Sequence, residues 1–106
     1  EFIEENLHDI CASVQQRIVS ILLNKLKKAA LLTGIKHVCL AGGVSANSGL
    51  RKAFLETGEK YHWKTFIPPF EYCTDNAAMI AMTGYYKYQE NDFVSLSVSP
   101  SARAEW

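Results

Sequence analysis

The chain has 106 residues, 48% of them hydrophobic, and its eleven basic side chains balance its eleven acidic ones, so the formal net charge is zero. That length supports one small domain. The balanced charge excludes a global basic field of the kind that attracts nucleic acid, so any RNA contact has to be local or made by a partner segment.

Three cysteines, Cys11, Cys39 and Cys73, are scattered with no C-x-x-C spacing, which reads as reduced thiols in a cytoplasmic protein. The acidic start Glu1-Phe2-Ile3-Glu4-Glu5 is the opposite of a signal peptide's positive n-region. No apolar run reaches membrane-spanning length. The lack of an initiator Met is what a piece of a longer protein would show.

From Ile3 to about Leu32, apolar residues recur in steps of three and four through Leu7, Ile10, Val14, Ile18, Ile21 and Leu26. This spacing predicts one long amphipathic helix. Gln15, Gln16 and Arg17 lie mainly on its polar side and carry no specific signal, and Lys25, Lys27 and Lys28 read as a solvated helix end. Thr33-Gly34 is the stop.

A first strand, from about Lys36 to Ala41, leads into Gly42-Gly43. The paired glycines allow a tight turn and leave no Cβ in the way of an approaching ligand, and the helix that follows aims unpaired N–H groups at the same place. The same pattern also serves as an ordinary connection between strand and helix, so on these residues alone a ligand site and a structural turn are equally good readings. A second helix is predicted from about Asn47 to Thr57, with Leu50, Phe54 and Ala53 facing inward and Gly58 ending it.

A second strand is predicted from Tyr61 to Ile67, terminated by Pro68-Pro69. The loop Phe70-Glu71-Tyr72-Cys73 then leads to Thr74-Asp75-Asn76, three residues with capping chemistry. A third helix follows to about Tyr88, and residues 91–106 read as an extended tail. The order α-β-α-β-α implies α/β class with parallel strands. Two strands alone leave bare sheet edges, which points to the C-terminal half of a larger α/β domain.

Two stretches, Leu40-Ala41-Gly42-Gly43-Val44-Ser45-Ala46-Asn47 with Leu50-Arg51, and Glu71-Tyr72-Cys73-Thr74-Asp75-Asn76-Ala77-Ala78-Met79-Ile80-Ala81, carry a family resemblance over nearly the whole chain. The sequence resembles the C-terminal part of the TsaD family, the bacterial tRNA threonylcarbamoyl-adenosine synthase subunit formerly labelled a glycoprotease. The resemblance implies an actin/sugar-kinase/heat-shock ATPase-like fold, with residues 1–90 as the carboxyl half of one lobe and residues 91–106 as its tail. It implies transfer of a threonylcarbamoyl group from threonylcarbamoyl-adenylate to the N6 amine of an adenosine beside the tRNA anticodon. The implied partners are tRNA, a catalytically inactive paralogue and an ATPase.

By the same resemblance Gly42 and Gly43 would line the adenosine of the adenylate intermediate, Asn47 would hydrogen-bond it, and Asp75 would be a ligand of one divalent metal, iron or zinc. Without the resemblance, Asp75 reads as a helix-capping acid. The family's other metal ligands are two histidines at i and i+4 on a helix, and His8, His37 and His62 do not have that spacing. The chain by itself is therefore expected to bind metal poorly, to be inactive and to self-associate. The competing functions are a metallopeptidase acting on O-sialoglycoproteins, a sugar kinase or other ATPase of the same fold, and a non-enzymatic binding module.

Overall fold

The computed structural model describes residues 1–102. The chain forms two compact units, residues 1–75 and the segment from Asn76 onward, each taken by itself here.

The first unit opens with a short helix α1 (Phe2–Glu5) and the long helix α2 (Leu7–Thr33). The single helix expected from Ile3 is interrupted at Asn6, whose side-chain amide donates to the Phe2 carbonyl at 2.8 Å. Asparagine competes locally for backbone partners in this way, and so disturbs a helix interior. Gly34 closes α2 in the left-handed conformation, as Thr33-Gly34 foretold.

Strand β1 (His37–Cys39) and strand β2 (Lys64–Phe66) pair in parallel, with Val38 opposite Thr65. The helix between them is α3 (Ser48–Tyr61). The α-β-α-β order and the parallel pairing expected from the sequence are both present. The strands are shorter than expected, and only Val38 is buried in them. On the opposite face His37 stacks on Phe66 with ring centroids 6.3 Å apart, and Phe66 stays 44% exposed.

The core is built around α3, which packs against both α2 and β2. Leu50 and Phe54, one helical turn apart, bury their side chains in it, with Phe54 fully enclosed. Both were predicted to face inward. Helix α2 is different, because Ala30 is its one buried residue. A helix of 27 residues is about 40 Å long, whereas three-residue strands span about 10 Å. So small a sheet cannot cover the apolar stripe, and Val14, Ile18 and Leu22 remain about half exposed.

Gly58 does not end α3, as its sequence position suggested. It is buried inside the helix, which runs on to Tyr61 and stops at His62 in a left-handed conformation (φ 55°). The physical reason is packing. A Cβ at position 58 would lie 2.4 Å from Thr65 Cγ2, so this glycine lets the helix lie close against β2. The extra turn also delays β2, which begins at Lys64, later than the expected Tyr61.

The second unit holds α4 (Ala77–Gln89), capped by Asn76, whose side chain accepts from the Met79 amide at 3.1 Å. Beyond it, Lys87 pairs with Asp92, and the hydrogen bond and charge of Asp92 hold the Lys87 ammonium above its ordinary pKa. Residues 92–102 contain no helix or strand; the last four residues of the expected tail lie outside the described residues. Among the described residues, no helix is long and apolar enough to cross a membrane.

The Gly58–Thr65 contact gives a test. Although alanine favours helix by about 1 kcal/mol over glycine, Gly58→Ala is expected to destabilise the fold by about 1–3 kcal/mol through overpacking. Thr65→Ser, which removes the opposing methyl, is expected to restore most of the loss. Thermal unfolding of the two single variants and the double variant checks this.

Candidate functional site

The backbone leaves β1 through Leu40, whose amide still bonds to the Phe66 carbonyl at 2.9 Å, and then breaks at Gly42. Gly42 has φ 85° and ψ 174°, a conformation open essentially to glycine alone. A single turn of 3-10 helix, Gly43–Ala46, follows. Ser45, only 1% exposed, closes this turn on itself: its amide and its Oγ both donate to the Gly42 carbonyl, at 2.9 and 2.6 Å.

Gly43 differs from its neighbour. Its φ is not positive, and an added Cβ would meet nothing within 4 Å. Neither conformation nor packing inside the chain requires a glycine there. The space beside the turn is open at Gly43, as it is at Gly42.

Asn47 sits at the N-cap of α3, one position before the first turn in which it was expected. Its Oδ1 accepts from the Leu50 amide at 2.8 Å, which satisfies one of the orphan donors of the helix start. Its Nδ2 donates to Gln15 Oε1 at 3.0 Å, 32 residues away on α2. Gly49 packs beside this link: a Cβ there would lie 3.0 Å from Gln15 Nε2 and 3.3 Å from Asn47 Oδ1, so either side chain would have to give by a few tenths of an ångström. Gln15 was passed over in the sequence. A lone glutamine on a polar helix face gives no sign of a distant partner.

Val44 and Asn47 also border an open, largely apolar groove of about 410 Å3 whose far wall is α2, through Val14, Ile18 and Leu22.

The second loop, at the end of β2, carries Pro68 and Pro69, a short 3-10 turn (Phe70–Tyr72), the buried Cys73, and Asp75. The side chain that joins this loop to the first one is Arg51, half-buried on α3. Its Nε donates to the Ser45 carbonyl at 2.6 Å. Its Nη2 donates to the Pro68 carbonyl and to Cys73 Sγ, both at 2.9 Å. Cys73 in turn donates to the Pro69 carbonyl at 3.5 Å. One guanidinium thus ties together the loops that leave both strands. Arg51 belongs to the first motif, but no role could be assigned to it from sequence, because all its partners are backbone carbonyls or a thiol.

Asp75 is exposed, and its carboxylate takes part in no hydrogen bond or ion pair among the described residues. The capping chemistry expected of the Thr74-Asp75-Asn76 run belongs to Asn76. Asp75 is therefore not occupied as a helix cap. Among the described residues, no three His, Cys, Asp or Glu side chains are grouped to hold a metal ion. A single carboxylate falls short of the several donors that a metal centre needs, so the described residues by themselves do not fit a metal.

Comparison with known proteins decides the relationship. The family model for TsaD, described as tRNA N6-adenosine threonylcarbamoyltransferase, matches residues 2–82. This chain belongs to the TsaD family. Proteins named tRNA N6-adenosine threonylcarbamoyltransferase from Christiangramia forsetii and Cytophaga hutchinsonii are each 56% identical to it over 103 residues, which is 97% of this chain and 30% of theirs. One of that name from Thermosipho africanus is 54% identical over 82 residues, 77% of this chain and 25% of that protein. The chain thus spans about 30% of the length of its first two relatives. Both motif stretches that carried the resemblance fall inside the matched TsaD region.

The Asn47 cap offers a quantitative check. Asn47→Ala is expected to cost about 0.5–2 kcal/mol of stability through loss of the cap. Asn47→Asp keeps the Oδ1 acceptor and forfeits only the donor to Gln15, so it is expected to cost less. A double-mutant cycle between Gln15→Ala and Asn47→Asp, read by chemical denaturation, should be non-additive, because either change removes the same hydrogen bond.

Proposed function

We propose that the intact protein to which this chain belongs is a tRNA-modifying transferase. It moves a threonylcarbamoyl group from threonylcarbamoyl-adenylate to the N6 amine of the adenosine beside the tRNA anticodon. The observation that carries the reading is the TsaD match over residues 2–82, which contains the turn and loop described above. The names of the relatives favour this activity over the older peptidase label and over a sugar kinase.

In this reading N6 attacks the carbamoyl carbon. A C–N bond forms, the C–O bond to the adenylate phosphate breaks, AMP leaves, and N6 gives up a proton. The residues of this chain bind and orient. Gly42 and Gly43 let the backbone approach the adenosine of the adenylate without a Cβ between them. Asn47 keeps one amide N–H and one lone pair beyond its two internal bonds, enough to hydrogen-bond the ligand without giving up the cap.

Asp75, with no partner in the described chain, is assigned as one ligand of a divalent metal, iron or zinc, whose other donors lie outside this chain. When bound, that ion would supply charge stabilisation for oxygens of the intermediate.

The surrounding fold we assign is a lobe of the actin/sugar-kinase/heat-shock type, supported by the parallel β1–α3–β2 unit, with residues 1–90 as its carboxyl half and residues 91–106 as a tail. The partners assigned are tRNA, the inactive paralogue and the ATPase, in the cytoplasm. Cut off from the rest of the protein, the chain is expected to self-associate through the uncovered stripe of α2 or through the sheet edge. Sedimentation equilibrium tests this, and a strict monomer at high concentration would contradict it.

Asp75→Ala in the intact protein is the deciding experiment. The carboxylate supports nothing in the fold, so stability should stay within about 0.5 kcal/mol, while bound metal and threonylcarbamoyl transfer are both lost. Retention of both would reduce the site to the Gly-Gly turn.

A further inference from the structure

The two loops that leave the strands each hold their own shape. The first is closed by the two Ser45 bonds to Gly42 and by the Asn47 amide on the Val44 carbonyl at 3.0 Å. The second is closed by the Tyr72 amide on Pro69 and the Cys73 amide on Phe70, at 3.0 and 3.1 Å. None of these bonds passes from one loop to the other. The Arg51 fork does, by way of Ser45 on one side and Pro68 and Cys73 on the other.

Its position fits that task. The side chain starts from the first turn of α3, next to the buried Leu50, so its stem is anchored in the core. No carboxylate lies within ion-pair distance of it among the described residues. What it offers is therefore the directed geometry of a planar fork toward three neutral acceptors, rather than charge pairing. A lysine would keep the charge but could not reproduce two donors at fixed angles.

We propose that Arg51 is a positioning residue for the transfer reaction, holding the Gly42–Gly43 turn in register with the Pro68–Asp75 loop. This rests on reading the turn as the adenylate site and the loop as the other side of the reaction centre. The consequence is a specific split in the kinetics. Without the fork each loop keeps its local hydrogen bonds, so the turn still binds adenylate. The two loops lose their common register, and misplacement by about 1 Å can slow a reaction about 100-fold.

The test uses the intact protein with its partner subunits, tRNA and synthetic threonylcarbamoyl-adenylate. Arg51→Lys is expected to lower kcat at least about tenfold while KM for the adenylate moves less than about threefold. Arg51→Ala is expected to regain part of its kcat when methylguanidine is supplied, in a saturable way. A change in fold stability alone would not produce such a rescue.

A wild-type kcat in Arg51→Lys overturns the proposal, as does a loss expressed wholly in KM. Should the Arg51 variants fail to fold, Cys73→Ser decides: it keeps the hydroxyl's bond to the Pro69 carbonyl within reach and exchanges the sulfur acceptor of the fork for a smaller oxygen. A lowered kcat at constant KM then supports the positioning role, and an unchanged kcat refutes it. A wild-type protein that shows no transfer at all overturns the underlying reading of the site. Transfer by wild type with no response to Arg51 and Cys73 leaves that reading standing and removes only the positioning role.

Discussion

The guanidinium of Arg51 is the constraint on which the arrangement of the site depends. Parallel strands joined by a helix deliver their outgoing loops to the same end of the sheet, but the topology sets only the neighbourhood. Register within that neighbourhood comes from three hydrogen bonds made by one half-buried side chain. Its bonds to the two carbonyls and the sulfur are charge-assisted on the donor side, and the planar fork fixes their angle and distance. The buried thiol of Cys73 completes the fork's coordination, which gives an ordinary-looking cysteine a structural reason to be where it is.

Below the site, the same helix performs two other tasks with residues of opposite character. Leu50 and Phe54 bury apolar surface in the core, at roughly 1.5–3 kcal/mol for each full burial, while Asn47 seals the helix start. Through Asn47 and Gln15 that start is joined to α2. The glycine turn is thus held from one direction by Arg51 and from another by the cap, and Gly43 is left facing open space.

Legibility in the sequence followed the range of the interactions. The long periodic pattern of α2, the glycine stop at Gly34 and the inward-facing Leu50 and Phe54 were all readable, because they depend on neighbours three or four residues away. Gly58 was misread as a helix end because its purpose is a close approach to Thr65 across the helix–sheet interface, and a buried glycine looks the same as a terminal one in sequence. Asn47 was placed one residue too far into the helix, and its bond to Gln15 spans 32 residues. The clamp was invisible for a similar reason: two of the three acceptors of Arg51 are main-chain carbonyls, and every residue has one of those. Of the site residues, Gly42, Gly43, Asn47 and Asp75 were singled out through the family resemblance more than through physics.

The contact between position 58 and position 65 carries a meaning for how this sequence can change. The spacing between α3 and β2 is set by the sum of two side-chain volumes, one of them zero beyond the main chain. A side chain at position 58 needs position 65 to give up volume first, whereas position 58 has none to give in return. The frame beneath the turn is in that sense inherited as a size, with the chemistry of either residue secondary.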